Sequence, residues 1–135
     1  MTPRLLVSVR SLAEAQAAVA GGCDLLDLKE PGRGSLGCPD LAVIEAVRDW
    51  LYSLPAEERP ELSVALGDVG DWVDCLPLER IPAGVQYVKL GTYPDPARTG
   101  TTLVEYAGTW DRIFVRADRA QPPRGIAVAY VDADH

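Results

Sequence analysis

The sequence predicts an α/β fold built on parallel strands, and three observations carry that prediction. Apolar runs of strand length alternate with amphipathic helical patterns for four and a half units. Each run is almost continuous in Leu, Val and Ile, as expected of strands covered on both faces. Charged residues gather where the runs end, at Lys29, Asp68, Lys89 and Asp132. In α/β barrels and open parallel sheets alike, that C-terminal end carries the active site.

Leu5-Leu6-Val7-Ser8-Val9 is the first strand. Ser11-Leu12-Ala13-Glu14 has the S-x-x-E spacing of a capping box, Leu12, Ala15 and Val19 follow at helical spacing, and Gly21-Gly22 closes the helix. Asp24 to Lys29 is the second strand; alternation puts Asp24, Leu26 and Leu28 on one face and Leu25, Asp27 and Lys29 on the other. Asp40 to Leu51 is a second amphipathic helix, ended by the polar stretch from Pro55 to Glu61. Leu62 to Asp68 is a third strand, and Val85 to Gly91 a fourth, which carries Lys89. Between them, Val69 to Leu78 has room for a short helix only, limited by Pro77 and Pro82. Thr92 to Gly100 is a proline-rich loop and Leu103 to Val115 a helical stretch. Arg116 to Gly125 is a polar connection to a fifth strand, Ile126 to Asp132. Trp50, Trp72 and Trp110 are expected to pack helices, and Tyr130 to join the core.

Composition narrows the chemistry. The 135 residues suffice for one domain with a core, and 47% hydrophobic with 24% charged residues is a globular balance. A net charge of −7 argues against nucleic acid and anionic membranes as partners. Cys23, Cys38 and Cys75 form no CxxC pair and are odd in number, which points to reduced thiols in the cytoplasm and to no metal site. The one histidine is His135, so a Ser-His-Asp triad and a HExxH zinc site are excluded for this chain. Catalysis here must use Lys, Asp, Glu, Tyr, Cys or backbone groups.

The thirteen basic residues include only two lysines, Lys29 and Lys89, both at strand ends. Arginine does not lose its proton in proteins and lysine does, so the two lysines stand where a neutral amine matters. With one strand between them, their backbones lie about 10 Å apart and the side chains can converge. Desolvation and a neighbouring cation disfavour the ammonium, leaving one amine nucleophilic toward an aldehyde or ketone as a Schiff base. Asp27, one layer deeper on the same face, keeps the other lysine charged or shuttles a proton. The competing reading is that both lysines are structural.

Gly32-Arg33-Gly34-Ser35-Leu36-Gly37 formally matches GxGxxG, but Lys29, Glu30 and Pro31 separate it from the strand and Pro39-Asp40 places the helix start after it. Glu57 and Glu58, about twenty residues on, fall in a polar loop. A dinucleotide site therefore fits poorly. The glycines of this loop, Gly34 among them, with Ser35 and Arg33, are placed to approach a substrate phosphate, since backbone N–H groups suit anions, with an ordinary surface loop as the alternative. Asp68 and Asp132 read as substrate-site acids or as helix N-caps.

These segments resemble the (5-formylfuran-3-yl)methyl phosphate synthases of methanofuran biosynthesis. The likeness lies in Leu5 to Ser8, Ala20 to Lys29, Pro31 to Gly37 with its Gly34-Ser35-Leu36-Gly37 core, Ser63 to Val69, Tyr87 to Gly91, and Ala129 to Ala133, in family order along the whole chain. The resemblance implies a TIM barrel that condenses two glyceraldehyde 3-phosphate molecules, a phosphosugar substrate, with no cofactor and no metal. It assigns the position of Lys29 as the Schiff-base residue, that of Lys89 as proton acceptor, and Asp27 to the same site. A barrel needs about 250 residues and eight strands. The expectation is thus a partial TIM-barrel synthase domain over 1–135, of parallel (β/α) type truncated to about five of eight strands. Its open edges predict a homo-oligomer. An incomplete record, a truncated product and a half-barrel that dimerises all remain open, and a catalytically inactive binding module is the alternative function.

Overall fold

The structure, a computed structural model, describes residues 2–68, 80–91 and 122–128. The expected helices over 69–78 and 103–115, the loop over 92–100, and Cys75, Trp72, Trp110, Tyr130 and Asp132 lie outside the described residues.

Local sequence sets the first unit. Strand β1 (Leu6–Val9) turns at Ser11 into helix α1 (Leu12–Ala20), with the Ser11 hydroxyl accepting from the Glu14 N–H. The Glu14 carboxylate reaches one residue further back than a capping box requires, to the Arg10 N–H at 2.8 Å. At the other end Gly22 adopts φ +83°, its N–H donates to the Val19 carbonyl, and the Cys23 N–H donates to that of Ala18. Those two bonds make a Schellman motif, and the left-handed residue in it is best supplied by glycine. The chain then enters β2 (Leu25–Leu28).

Helix α2 (Leu41–Ser53) presents Ile44, Val47 and Leu51 as one buried stripe. It leads to β3 (Glu61–Asp68), and β4 (Tyr87–Gly91) and β5 (Arg124–Val128) follow. All five strands are parallel, in the order β1-β2-β3-β4-β5 with no reversal. Right-handed crossovers that always advance in one direction leave their helices on one face. Accordingly α1 and α2 pack in one cluster with Leu26, Leu28, Leu62, Val64 and Leu90. Burying each such leucine contributes about 2 kcal/mol. The α/β class and parallel sheet agree with expectation.

The fifth strand starts earlier than the sequence suggested, at Arg124 and not Ile126. Arg124 looks like part of a polar connection, yet its N–H donates to the Gln86 carbonyl at 2.8 Å and its guanidinium stacks 4.5 Å from the Tyr87 ring centre while donating to Tyr87 Oη. Glu61 joins the same cluster through Arg4 and Arg124. These polar groups close the N-terminal end of the sheet face that carries no helices.

Gly37 lies so close to the Glu30 carbonyl and the Arg33 side chain that a β-carbon would overlap both. We expect Gly37→Ala to lower stability by about 1–3 kcal/mol, read by urea denaturation, because the tight loop has to open. Among the described residues Cys23 is a free thiol, and it forms no disulfide with Cys38. Burial pushes the Cys23 thiol above its usual range, with the Asp24 charge adding to the shift and its own backbone N–H opposing it. The raised value stabilises the fold fully below the unfolded thiol's pKa, and that contribution is lost as pH rises through the folded value. Iodoacetamide at neutral pH should therefore modify half-buried Cys38 well before Cys23, as peptide mass spectrometry will show.

Candidate active site

On the face away from the helices, register aligns Ser8, Asp27, Ser63, Tyr87 and Arg124 as one row across the five strands. Such a row follows from period-two alternation, since the Leu and Val residues between these positions point into the helix-covered core. Asp27 is only 1% exposed. Its Oδ2 lies 2.8 Å from Lys89 Nζ and accepts from Ser8 Oγ at 3.1 Å. Lys89, whose side chain is 14% exposed, starts two strands away and one row higher, so its stem crosses β3 at the level of its register partner Ala65. A larger residue there would obstruct that path.

Lys29 follows directly after β2, two positions beyond Asp27, and its N–H still donates to the Val9 carbonyl at 3.0 Å. The sheet pairing thus reaches Lys29. It is half-buried and, among the described residues, makes no ion pair. The order β2-β3-β4 puts one strand between the two lysines, as the spacing required.

At the end of β3, Gly67 takes φ +91° and the register shifts, bringing Asp68 opposite Gly91. A β-carbon on Gly91 would collide with the Asp68 carboxylate and press on Leu36. Leu36 itself is buried, so the loop after β2 folds over the C-terminal ends of β3 and β4. Within that loop the N–H groups of Gly32, Arg33, Gly34 and Gly37 donate to Glu30 Oε1, the Glu30 carbonyl, the Pro31 carbonyl and the Gly34 carbonyl. Gly34 and Ser35 are exposed. Arg33 is held by Asp40 at 2.8 Å, which raises its pKa further above the usual arginine value, and by the Cys38 carbonyl. Helix α2 starts at Leu41, beyond Gly37, so the GxGxxG run does not open a helix as a dinucleotide fingerprint does. Among the described residues no group of three or more His, Cys, Asp or Glu is arranged to hold a metal ion, and no helix is long and apolar enough to cross a membrane.

The structure brings Asp27 and Lys89 into contact, sets Lys29 beside them in sequence and strand direction, and places Asp68 at the same end of the sheet. Asp132 lies outside the described residues. Sequence reasoning missed Ser8 and Ser63. The available signal was a hydroxyl residue between two apolar ones on a strand, Val7-Ser8-Val9 and Leu62-Ser63-Val64. Ser63 is fully buried, and among the described residues neither its Oγ nor Asp27 Oδ1 has a hydrogen-bond partner.

Removing one member of a buried ion pair leaves an uncompensated charge. Asp27→Asn and Lys89→Met are each expected to cost about 3 kcal/mol in urea denaturation. The double variant should recover much of that loss; simple addition of the two penalties would show that the pair is not coupled.

The residues 5–135 match a family profile described as 4-HFC-P synthase. Similar proteins named (5-formylfuran-3-yl)methyl phosphate synthase include one from Methanococcus maripaludis strain C5, 35% identical over 134 residues, covering 89% of this chain and 53% of that protein. Another, from strain C6 of the same species, is 37% identical over 137 residues, covering 96% and 52%. One from Methanopyrus kandleri is 37% identical over 139 residues, covering 98% and 54%. The chain thus spans about half the length of the curated relatives it matches. With that family's profile running from the first strand to the last residue, the chain belongs to the 4-HFC-P synthase family.

Proposed function

We propose that this chain carries the lysine pair of a Schiff-base lyase that condenses two glyceraldehyde 3-phosphate molecules into (5-formylfuran-3-yl)methyl phosphate, a step of methanofuran biosynthesis. The observation that carries this reading is the unequal state of the two amines. Lys89 is tied to Asp27 at 2.8 Å, while Lys29 makes no ion pair among the described residues. An amine attacks a carbonyl only when neutral, and among the described residues no carboxylate is ion-paired with Lys29. Lys29 Nζ therefore adds to the aldehyde carbon, and loss of water with uptake of one solvent proton leaves a protonated imine. That imine acidifies the adjacent C–H. Lys89, after releasing its ammonium proton to solvent, takes this proton as a neutral amine, and the ammonium so formed rests on Asp27. The resulting enamine carbon attacks the second aldehyde.

Sequential strand order with helices on one face supports a TIM-barrel sheet, of which this chain supplies about five of eight strands. Gly34, Ser35 and Asp68, with Asp132, are proposed to bind substrate, because the loop after β2 lies over the strand ends. The free thiol of Cys23 supports a reducing compartment, the cytoplasm. Exposed Leu5 and Leu6 at the β1 edge support association of copies.

Borohydride reduction with glyceraldehyde 3-phosphate should add one substrate-derived mass to the chain. Lys29→Ala should lose at least 90% of that adduct, while Lys89→Ala should still form it but release no furan product. Equal trapping by parent and both variants would sink the mechanism. Concentration-dependent oligomers without any adduct would favour an inactive assembly module.

A further inference from the structure

We infer that Ser63 is a positioning residue that keeps Asp27 ionised while Lys89 is neutral. This rests on the proton-acceptor role proposed for Lys89. To accept a proton, Lys89 must first be an amine, and in that state Asp27 loses the one cationic partner it has among the described residues. A carboxylate 1% exposed is then left in a low-dielectric site. Hydroxyl donors can hold the charge without themselves ionising. Ser8 already donates to Oδ2, the oxygen that faces Lys89. The other oxygen, Oδ1, is buried with no partner among the described residues, and so is the hydroxyl of Ser63. Ser63 is the register partner of Asp27 on the adjoining strand, about 4.8 Å away along the backbone hydrogen-bonding direction. Two orphaned groups of complementary type, fully buried on one face and in one row, need an explanation. In the state we infer, the Ser63 O–H donates to Asp27 Oδ1.

The cycle leaves no proton on Asp27. Lys89 gives up its ammonium proton to solvent before turnover, Ser63 and Ser8 carry the carboxylate through that interval, and the proton taken from the substrate carbon restores the ammonium and the ion pair. Charged and titratable groups around Asp27 are Lys29 just beyond β2, Glu61 and Asp68 on β3, Tyr87 and Lys89 on β4, and Arg124 on β5. Arg10, at the end of β1, is held by Glu30. None of these donates to Oδ1.

The chain's two lysines make the test direct, because trace acetylation by acetic anhydride followed by peptide mass spectrometry reports the neutral fraction of each amine. In Ser63→Ala the Asp27 charge is less well shared, so Lys89 retains its proton more tightly. Its acetylation rate near neutral pH should fall about tenfold against Lys29 as internal standard, the effect of losing one charge-assisted hydrogen bond. Ser63→Thr, which restores a hydroxyl, should recover most of the rate, and Ser63→Cys carries the expectation of Ser63→Ala should the alanine variant fail to fold. An unchanged Lys89 rate in a folded Ser63→Ala overturns the inference while leaving the Schiff-base reading standing. Absence of a borohydride adduct in the parent overturns both, and is read independently of acetylation.

Discussion

The ion pair between Asp27 and Lys89 is the constraint around which the helix-free face of the sheet is organised. It spans three strands, joins a carboxylate sealed from water to an amine near the rim, and closes at 2.8 Å. Such a pair is poor evidence for stability, since hydrophobic residues of the same volume serve a core at least as well. Its retention on an otherwise leucine-rich strand therefore points to chemistry. The surrounding residues are those the pair needs. Ala65 leaves room for the lysine stem, Ser8 shares the carboxylate, and a strand order without reversal brings β2 and β4 to either side of β3.

The two faces of the sheet divide the work. Toward α1 and α2 the strands present Leu, Val and Ile, and that side supplies the cohesion. Toward the other side they present hydroxyls, carboxylates, Tyr87 and the lysine amine. Stacking of Arg124 on Tyr87, with Glu61 between Arg4 and Arg124, ties the N-terminal end. At the opposite end Gly37 and Gly91 allow close approach, so the loop after β2 can lay Leu36 against the ends of β3 and β4. Rigid packing on one face holds reactive groups in place on the other, which is the arrangement a site on strand ends requires.

Family membership and geometry bear on different questions. The match over residues 5–135 says which enzymes this chain is related to, and those relatives are about twice as long. The geometry says which of its amines is charge-paired and which is not. That distinction is what the proposed division of tasks between Lys29 and Lys89 rests on.

Local periodicity and caps were legible in the sequence because they depend on neighbours a few residues away. Ser11 and Gly22 bound α1, alternation put Asp27 and Lys29 on one face, and a chain rich in arginine marked its two lysines as special. The boundary of β5 was not legible, since Arg124 pairs and stacks only because Gln86 and Tyr87 lie beside it. Nor was Ser63, an ordinary small residue on a strand until register sets it opposite Asp27. Sequence by itself determined which residues were candidates for the proposed chemistry and which face of each strand they occupied. The contact between Asp27 and Lys89, and the orphaned hydroxyl beside it, were decided by tertiary structure, because strand order and register bring together groups that chain spacing leaves far apart.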